Sequence, residues 1–248
     1  MEDFNLEICI DSTESALIAA QNGATRIELC GHLMIGGVTP CLGLIQMVKG
    51  LVSIPSHAII RPRFGDFVYS ELEFEQMKRD IISCKEHHID GLVLGMLTPE
   101  GDLDIARLKQ LVQLGEGLHL TLHRAFDLCR DPFKALEDAM DLGFRTILTS
   151  GQKATAYEGR DLLKELIKVA DGRIDIMPGA GVSSQNLKEL LTVTGAKSVH
   201  LSAKTLRPSA SHYKNPEVYM GLPSIDESII YETNGEEVQA AHDILVDF

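Results

Sequence analysis

Gly195-Ala196-Lys197-Ser198-Val199-His200-Leu201 joins a helical run that begins at Leu187 to a short apolar run. The glycine suits a left-handed helix C-cap, and the run after it suits a buried parallel strand. The same order recurs along the chain. Ser15 through Gly23-Ala24-Thr25-Arg26-Ile27-Glu28-Leu29 is one copy, and Ala135 through Gly143-Phe144-Arg145-Thr146-Ile147-Leu148 is another. Met77 through Ile89-Asp90-Gly91-Leu92-Val93-Leu94 is a looser one. Filling the gaps predicts strands near 5–10, 26–30, 57–61, 91–95, 119–123, 146–149, 173–177 and 198–201. Helices are predicted near 12–22, 42–51, 71–87, 103–114, 132–142, 157–170, 183–194 and 236–246, with start signals such as Asp131-Pro132 and Ser183. Strands alternating with helices, without a linker-like change in composition, predict a single-domain (β/α)8 TIM barrel over residues 1–248. An open doubly wound sheet is the alternative, but no GxGxxG follows the first strand. The stretch 206–233, with Pro208, Pro216 and Pro223, interrupts the pattern as an irregular excursion. It reads as a surface loop, or as a lid or subunit contact.

Composition narrows the function. The chain has 248 residues, is 44% hydrophobic and 24% charged, and so can bury a sizeable core. Its formal charge of −13 repels phosphate backbones, and 5% aromatic residues with no Trp offer few stacking platforms. Nucleic-acid partners, and a nuclease in particular, are therefore not expected. Met1-Glu2-Asp3-Phe4 carries no basic leader and no long apolar run appears, so neither a signal peptide nor a membrane span is expected. Cys9, Cys30, Cys41, Cys84 and Cys129 form no CxxC pair, which points to free thiols in a reducing cytoplasm.

In barrel enzymes the site lies at the C-terminal ends of the strands. Glu7 with Cys9, and Glu28 with Cys30, share strand faces by the two-residue period. The third strand ends in Arg61-Pro62-Arg63-Phe64-Gly65-Asp66, and the fifth in His123-Arg124-Ala125-Phe126-Asp127. Glu7, Glu28, Arg61, Arg63, Asp66, His123, Arg124 and Asp127 thus gather at one mouth, either as a site or as ion pairs tying strands together. Ser150-Gly151, Gly179, Gly181 and Ser202 follow strands six to eight, where barrels often hold a phosphate; the glycines also fit tight turns. Cys9 and Cys30 fall at matching positions of neighbouring strands about 4.8 Å apart. Two such thiolates would select Cu(I), although cysteine is also a common core residue. His57 and His119 stand at strand starts, the stability end of a barrel.

Leu6-Glu7-Ile8-Cys9, Arg26-Ile27-Glu28-Leu29-Cys30, Gly36-Gly37-Val38-Thr39-Pro40, Arg61-Pro62-Arg63, Gly65-Asp66-Phe67, His123-Arg124-Ala125-Phe126-Asp127, Leu148-Thr149-Ser150-Gly151 and Gly179-Ala180-Gly181 together resemble the CutC copper homeostasis family. The likeness runs from the first strand to the eighth. Phe64 departs from an expected glycine, and Cys41 from a common serine. The resemblance implies a cytoplasmic barrel, homodimeric or homotetrameric, linked to copper handling. It matches Cys9 and Cys30 to positions proposed as Cu(I) ligands. The residues support a second reading beside it: a barrel enzyme acting on a phosphorylated or carboxylated metabolite. There Arg61, Arg63 and Arg124 would bind the anion, Glu7 or Glu28 would serve as base, and His123 as acid. No organic cofactor is expected under either reading.

Overall fold

The computed structural model describes residues 4–220 and 226–248. Met1, Glu2, Asp3 and Pro223 lie outside them. The repeats fold as their spacing predicts. The barrel strands are β1 Asn5–Ile10, β2 Arg26–Leu29, β3 Ser56–Ile59, β4 Gly91–Leu94, β5 His119–Leu122, β6 Thr146–Thr149, β7 Asp175–Pro178 and β8 Ser198–Leu201. Between them run α1 Thr13–Gln21, α2 Leu42–Leu51, α3 Glu71–Glu86, α4 Ile105–Leu114, α5 Pro132–Leu142, α6 Arg160–Ala170 and α7 Ser184–Thr194, and α8 Gly235–Val246 ends the chain. Local chemistry sets the boundaries. Asp131 accepts from Phe133 N and Lys134 N to start α5, and Ser70 with Glu73 closes a capping box on α3. Gly143 and Gly195 end α5 and α7 in the left-handed region.

All the ladders of the eight-stranded sheet are parallel, in the order β7-β6-β5-β4-β3-β2-β1-β8. The two ends of this order are β7 and β8, and no ladder joins them among the described residues. A Cβ built on Gly179, just past β7, would lie 3.3 Å from His200 Cβ on β8, so the two strands still meet edge to edge. The result is a nearly closed barrel of eight parallel strands ringed by helices.

Side-chain parity divides the apolar residues into two clusters. Leu6, Ile8, Ile10, Ile27 and Leu29 face outward into the main core with Phe74, Met77, Ile81 and Leu136 from the helices. Each such side chain contributes roughly 1.5–3 kcal/mol on full burial. Cys9, Cys30, Ile59 and Val93, with Leu33, form a small separate cluster inside the barrel.

The excursion holds more order than the sequence suggests. Its ends pair as an antiparallel hairpin, β9 Lys204–Pro208 with β10 Ile229–Thr233. The hairpin is moored to the barrel where Ser15 Oγ accepts from Thr233 N at 3.0 Å and Ala203 O accepts from Asn234 N. Pro208 sits at the strand end, where a missing N–H does no harm.

Candidate functional site

Barrel interiors are usually filled by branched apolar layers. Here the lower interior is polar. Arg26 Nε donates to Glu7 Oε2 at 2.6 Å, and both side chains are buried. Arg26 Nη2 reaches across to Met177 Sδ at 3.3 Å. His57 Nδ1 lies 3.9 Å from Glu7, the His57 and His119 rings are 4.9 Å apart, and His119 Nε2 meets Thr146 Oγ1 at 2.9 Å. Burial, with the Arg26 charge, pushes His57 down to about 3 and His119 to about 4. Burial alone would raise Glu7, but the Arg26 charge and the His200 hydrogen bond hold it well below the usual carboxylate range.

Above this layer opens a pocket of about 270 Å3 at the C-terminal ends of the strands. Its floor holds Cys9, Glu28 and His200, whose donor atoms all lie within 4.8 Å of one another. The ladders explain the grouping. Cys9 is the register partner of Glu28 on β2, and Glu7 of His200 on β8. Cys9 and Cys30 are therefore not at matching positions, as their places in sequence suggested; barrel strands are staggered, and Cys30 sits two residues further along. His200 Nδ1 donates to Glu7 Oε1 at 2.7 Å, which leaves Nε2 on the Glu28 side, 3.8 Å from Oε2. Burial would lower His200, but the Cys9 charge and hydrogen bond, with Glu7 and Glu28, hold it well above its ordinary value. Burial lifts Glu28 to about 7, against the His200 charge and with the Glu7 charge.

The remaining candidates separate into different surroundings. Glu7 lies beneath the pocket, fully buried in the ion-paired layer. Arg61 lines the pocket but is spent on backbone: Nη1 donates to Gly36 O and Gly37 O, and Nη2 to Gly65 O at 2.8 Å. Arg63 and Asp66 pair with each other at 3.0 Å, and Arg63 Nε donates to Glu73 at 2.6 Å, outside the pocket. His123 lines the pocket wall, with Nδ1 accepting from Ala125 N and Nε2 buried without a partner. Burial and the Arg61 charge push it down to about 3. Gly95 makes room for this ring, since a Cβ there would lie 2.6 Å from Nδ1. Arg124 lines the rim and is held by Asp127 at 2.7 Å.

The glycine-rich ends are largely occupied by the barrel itself. Ser150 N donates to Asp127, Gly151 N to Thr149 Oγ1 and Gly179 N to Thr149 O. Gly181 and Ser202 do line the pocket. Sequence reasoning passed over His200, Arg26 and Lys204. A signal for His200 existed: the Gly195 and Gly23 repeats superimpose Ser198-Val199-His200-Leu201 on Arg26-Ile27-Glu28-Leu29, which puts His200 in phase with Glu28.

A family model described as the CutC family matches residues 4–205. The chain belongs to the CutC family. A family protein CutC of Histophilus somni is 46% identical over 236 residues, covering 95% of this chain and 97% of that protein. The copper homeostasis protein cutC homolog of Mus musculus is 48% identical over 218 residues, 88% of this chain and 80% of its own length. Among solved structures, the CutC protein of Streptococcus agalactiae aligns with a TM-score of 0.77 at 33% identity, covering 80% of this chain and 98% of that one. The thiamine phosphate pyrophosphorylase of Pyrococcus furiosus aligns at TM-score 0.60 and 14% identity, covering 99% of this chain and 97% of that one, a likeness of fold alone. No helix among the described residues of this CutC chain is long and apolar enough to cross a membrane.

Proposed function

We propose that this CutC-family chain takes part in copper homeostasis by binding a copper ion at the pocket floor. The observation that carries the reading is the convergence of Cys9, Glu28 and His200 within 4.8 Å. A thiolate and an imidazole are donors that suit copper, and the buried floor leaves little water to compete with them. Glu7 accepts from His200 Nδ1, the carboxylate–histidine arrangement that fixes ring orientation behind a metal ligand. Cys9 and Cys30 as a pair give way to Cys9 with His200 in this reading. Burial, with the Glu28 and Cys9 charges, pushes the Cys30 thiol well above its ordinary value, so it stays neutral and ligates poorly.

Anaerobic Cu(I) competition against a chromogenic chelator tests the site. One equivalent should bind. Cys9→Ser and His200→Gln should each weaken binding by ~100-fold, Cys30→Ser by less than ~10-fold, and Cys84→Ser not at all. Equal losses from Cys9→Ser and Cys30→Ser would restore the two-thiol site, and undiminished binding in Cys9→Ser would remove copper from this pocket. The same reading places the protein in a reducing cytoplasm, in keeping with five free cysteines. It also makes the chain a homodimer or homotetramer, in keeping with Tyr213, Tyr219 and Met220 exposed on the hairpin.

A further inference from the structure

We infer that Cys9 is an activated nucleophile, with His200 as its base and Glu7 as the positioning residue, and that the pocket turns over a small acyl compound bearing an anionic group. The three groups stand in the order that thiol catalysis requires: nucleophile, base, orienter. The Cys9 sulfur faces His200 within 4.8 Å, His200 Nδ1 donates to Glu7 at 2.7 Å, and Arg26 holds Glu7 at 2.6 Å. Cys9 and His200 line the pocket, while Glu7 is sealed behind them. Cys84 and Cys129 are also buried but lie outside the pocket, and burial pushes both thiols up to about 12; Cys30 lines the pocket, but burial and the Glu28 charge push its thiol well above its ordinary value.

The walls indicate the substrate class. His123 Nδ1 accepts from Ala125 N–H at 3.2 Å, so Nε2 carries the proton. That N–H is buried and meets no acceptor in the protein, a costly state that a carbonyl oxygen of a ligand would relieve. At the rim, Arg124, held by Asp127, and Lys204 face the same pocket beside Asp11 and Glu232, whose carboxylates are engaged by Leu33 N and Arg207. The Lys204 ammonium lies 5.7 Å from the Tyr231 ring and pairs with no carboxylate among the described residues. Ile59 and Leu33 supply an apolar patch between floor and rim. A volume of about 270 Å3 is below the ~300–1,000 Å3 of drug-sized sites, which restricts the guest to a small metabolite.

In the reaction, the proton shared by Cys9 and His200 rests on His200 Nε2, and the Cys9 thiolate sulfur bonds to the acyl carbon. The bond from that carbon to the leaving group breaks, and the leaving group departs with the proton His200 returns. Water then adds to the thioester, His200 again carrying the proton, and the C–S bond breaks to release a carboxylic acid and the free thiol. The net change is hydrolysis, with water as the only co-reactant.

The inference rests on the same pocket as the copper reading but needs no ion. The test uses metal-free protein carrying Cys41→Ser, which removes the exposed cysteine. Iodoacetamide should label one site, Cys9 by peptide mapping, at ~10-fold the rate of glutathione or more at pH 6.5. His200→Gln should slow labelling ~10-fold and Glu7→Gln ~3-fold, at temperatures where each variant is folded by circular dichroism. With p-nitrophenyl acetate a burst of one equivalent of nitrophenol should appear and vanish in Cys9→Ser. Labelling of Cys9 no faster than glutathione, or a burst that survives Cys9→Ser, would overturn the inference, and both readouts stand even where His200→Gln fails to fold. Cu(I) binding without rapid labelling or burst would leave copper standing alone; labelling and burst without Cu(I) binding would do the reverse.

Discussion

Glu7 occupies a place that an aliphatic side chain fills in most barrels, and three groups make its charge tolerable. Arg26 supplies the counter-charge at 2.6 Å, His200 a hydrogen bond at 2.7 Å, and His57 stands 3.9 Å away. A buried ion pair is weak evidence for stability, but breaking one is expensive because the survivor keeps its desolvated charge. Arg26→Met should therefore destabilise the fold by about 3–5 kcal/mol, measured by urea unfolding. Adding Glu7→Gln should recover part of that loss, since no uncompensated carboxylate then remains. Failure of the double variant to recover would mean that Arg26 acts through its contact with Met177 instead. Arg61 shows a different economy: its guanidinium ties three carbonyls of two loops, so its charge shapes the pocket wall more than it is free to recruit an anion.

At the level of elements, the turn Arg124–Leu128 after β5 is fastened to β6 by one carboxylate. Asp127 accepts from Ser150 N and Ser150 Oγ and holds Arg124 at 2.7 Å. Asp127→Ala should cost about 1–3 kcal/mol in thermal unfolding by orphaning these donors, and should leave Arg124 held at the rim by Ser150 Oγ without its counter-charge. The strands themselves were legible because glycine caps and β-branched runs are local signals, each within a few residues. The β9–β10 hairpin was not, because the prolines at 208, 216 and 223 mask the Ile229-Ile230-Tyr231-Glu232-Thr233 run that pairs with it. Parity placed Glu7, Cys9, Glu28 and Cys30 on inward faces, but parity carries no depth. Stagger between β1 and β2 decides that Cys9 faces Glu28 and that Glu7 falls below the mouth, and stagger is a property of the closed sheet, not of either strand. Arg63 and Asp66 illustrate the same limit, since which of two charges in a loop finds the other depends on the loop's path.

The whole molecule should respond to acid through its buried histidines. His57, His119 and His123 are held at about 3 to 4, against 6.5 when unfolded, so their contribution is present above pH 6.5 and is lost as pH falls toward those values. Glu28, raised to about 7 from 4.5 in metal-free protein, works in the opposite sense, stabilising at low pH and losing that contribution as pH rises to 7. Three imidazoles outweigh one carboxyl, and the unfolded chain binds roughly two more protons than the folded one between pH 4.5 and 6.5. Unfolding free energy should therefore climb by about 2.7 kcal/mol per pH unit near pH 5, and less steeply toward pH 6.5. His200, held above its ordinary value, loses its contribution as pH rises beyond 6.5, which sets the maximum near neutrality. Urea titrations at several pH values would read this directly, and a flat profile would mean that the lower layer is more hydrated than its burial indicates. The gap between β7 and β8 gives the same molecule a mechanical property. A ring cut at one point flexes by parting its lips, and here β8, β1 and β2 ride together on one lip while β7 forms the other. Cys9, Glu28 and His200 all belong to the first lip, so a parting of the ring would leave the spacing of its three donors unchanged, with the Arg26–Met177 and Asp175–Ser198 contacts acting as latches across the cut.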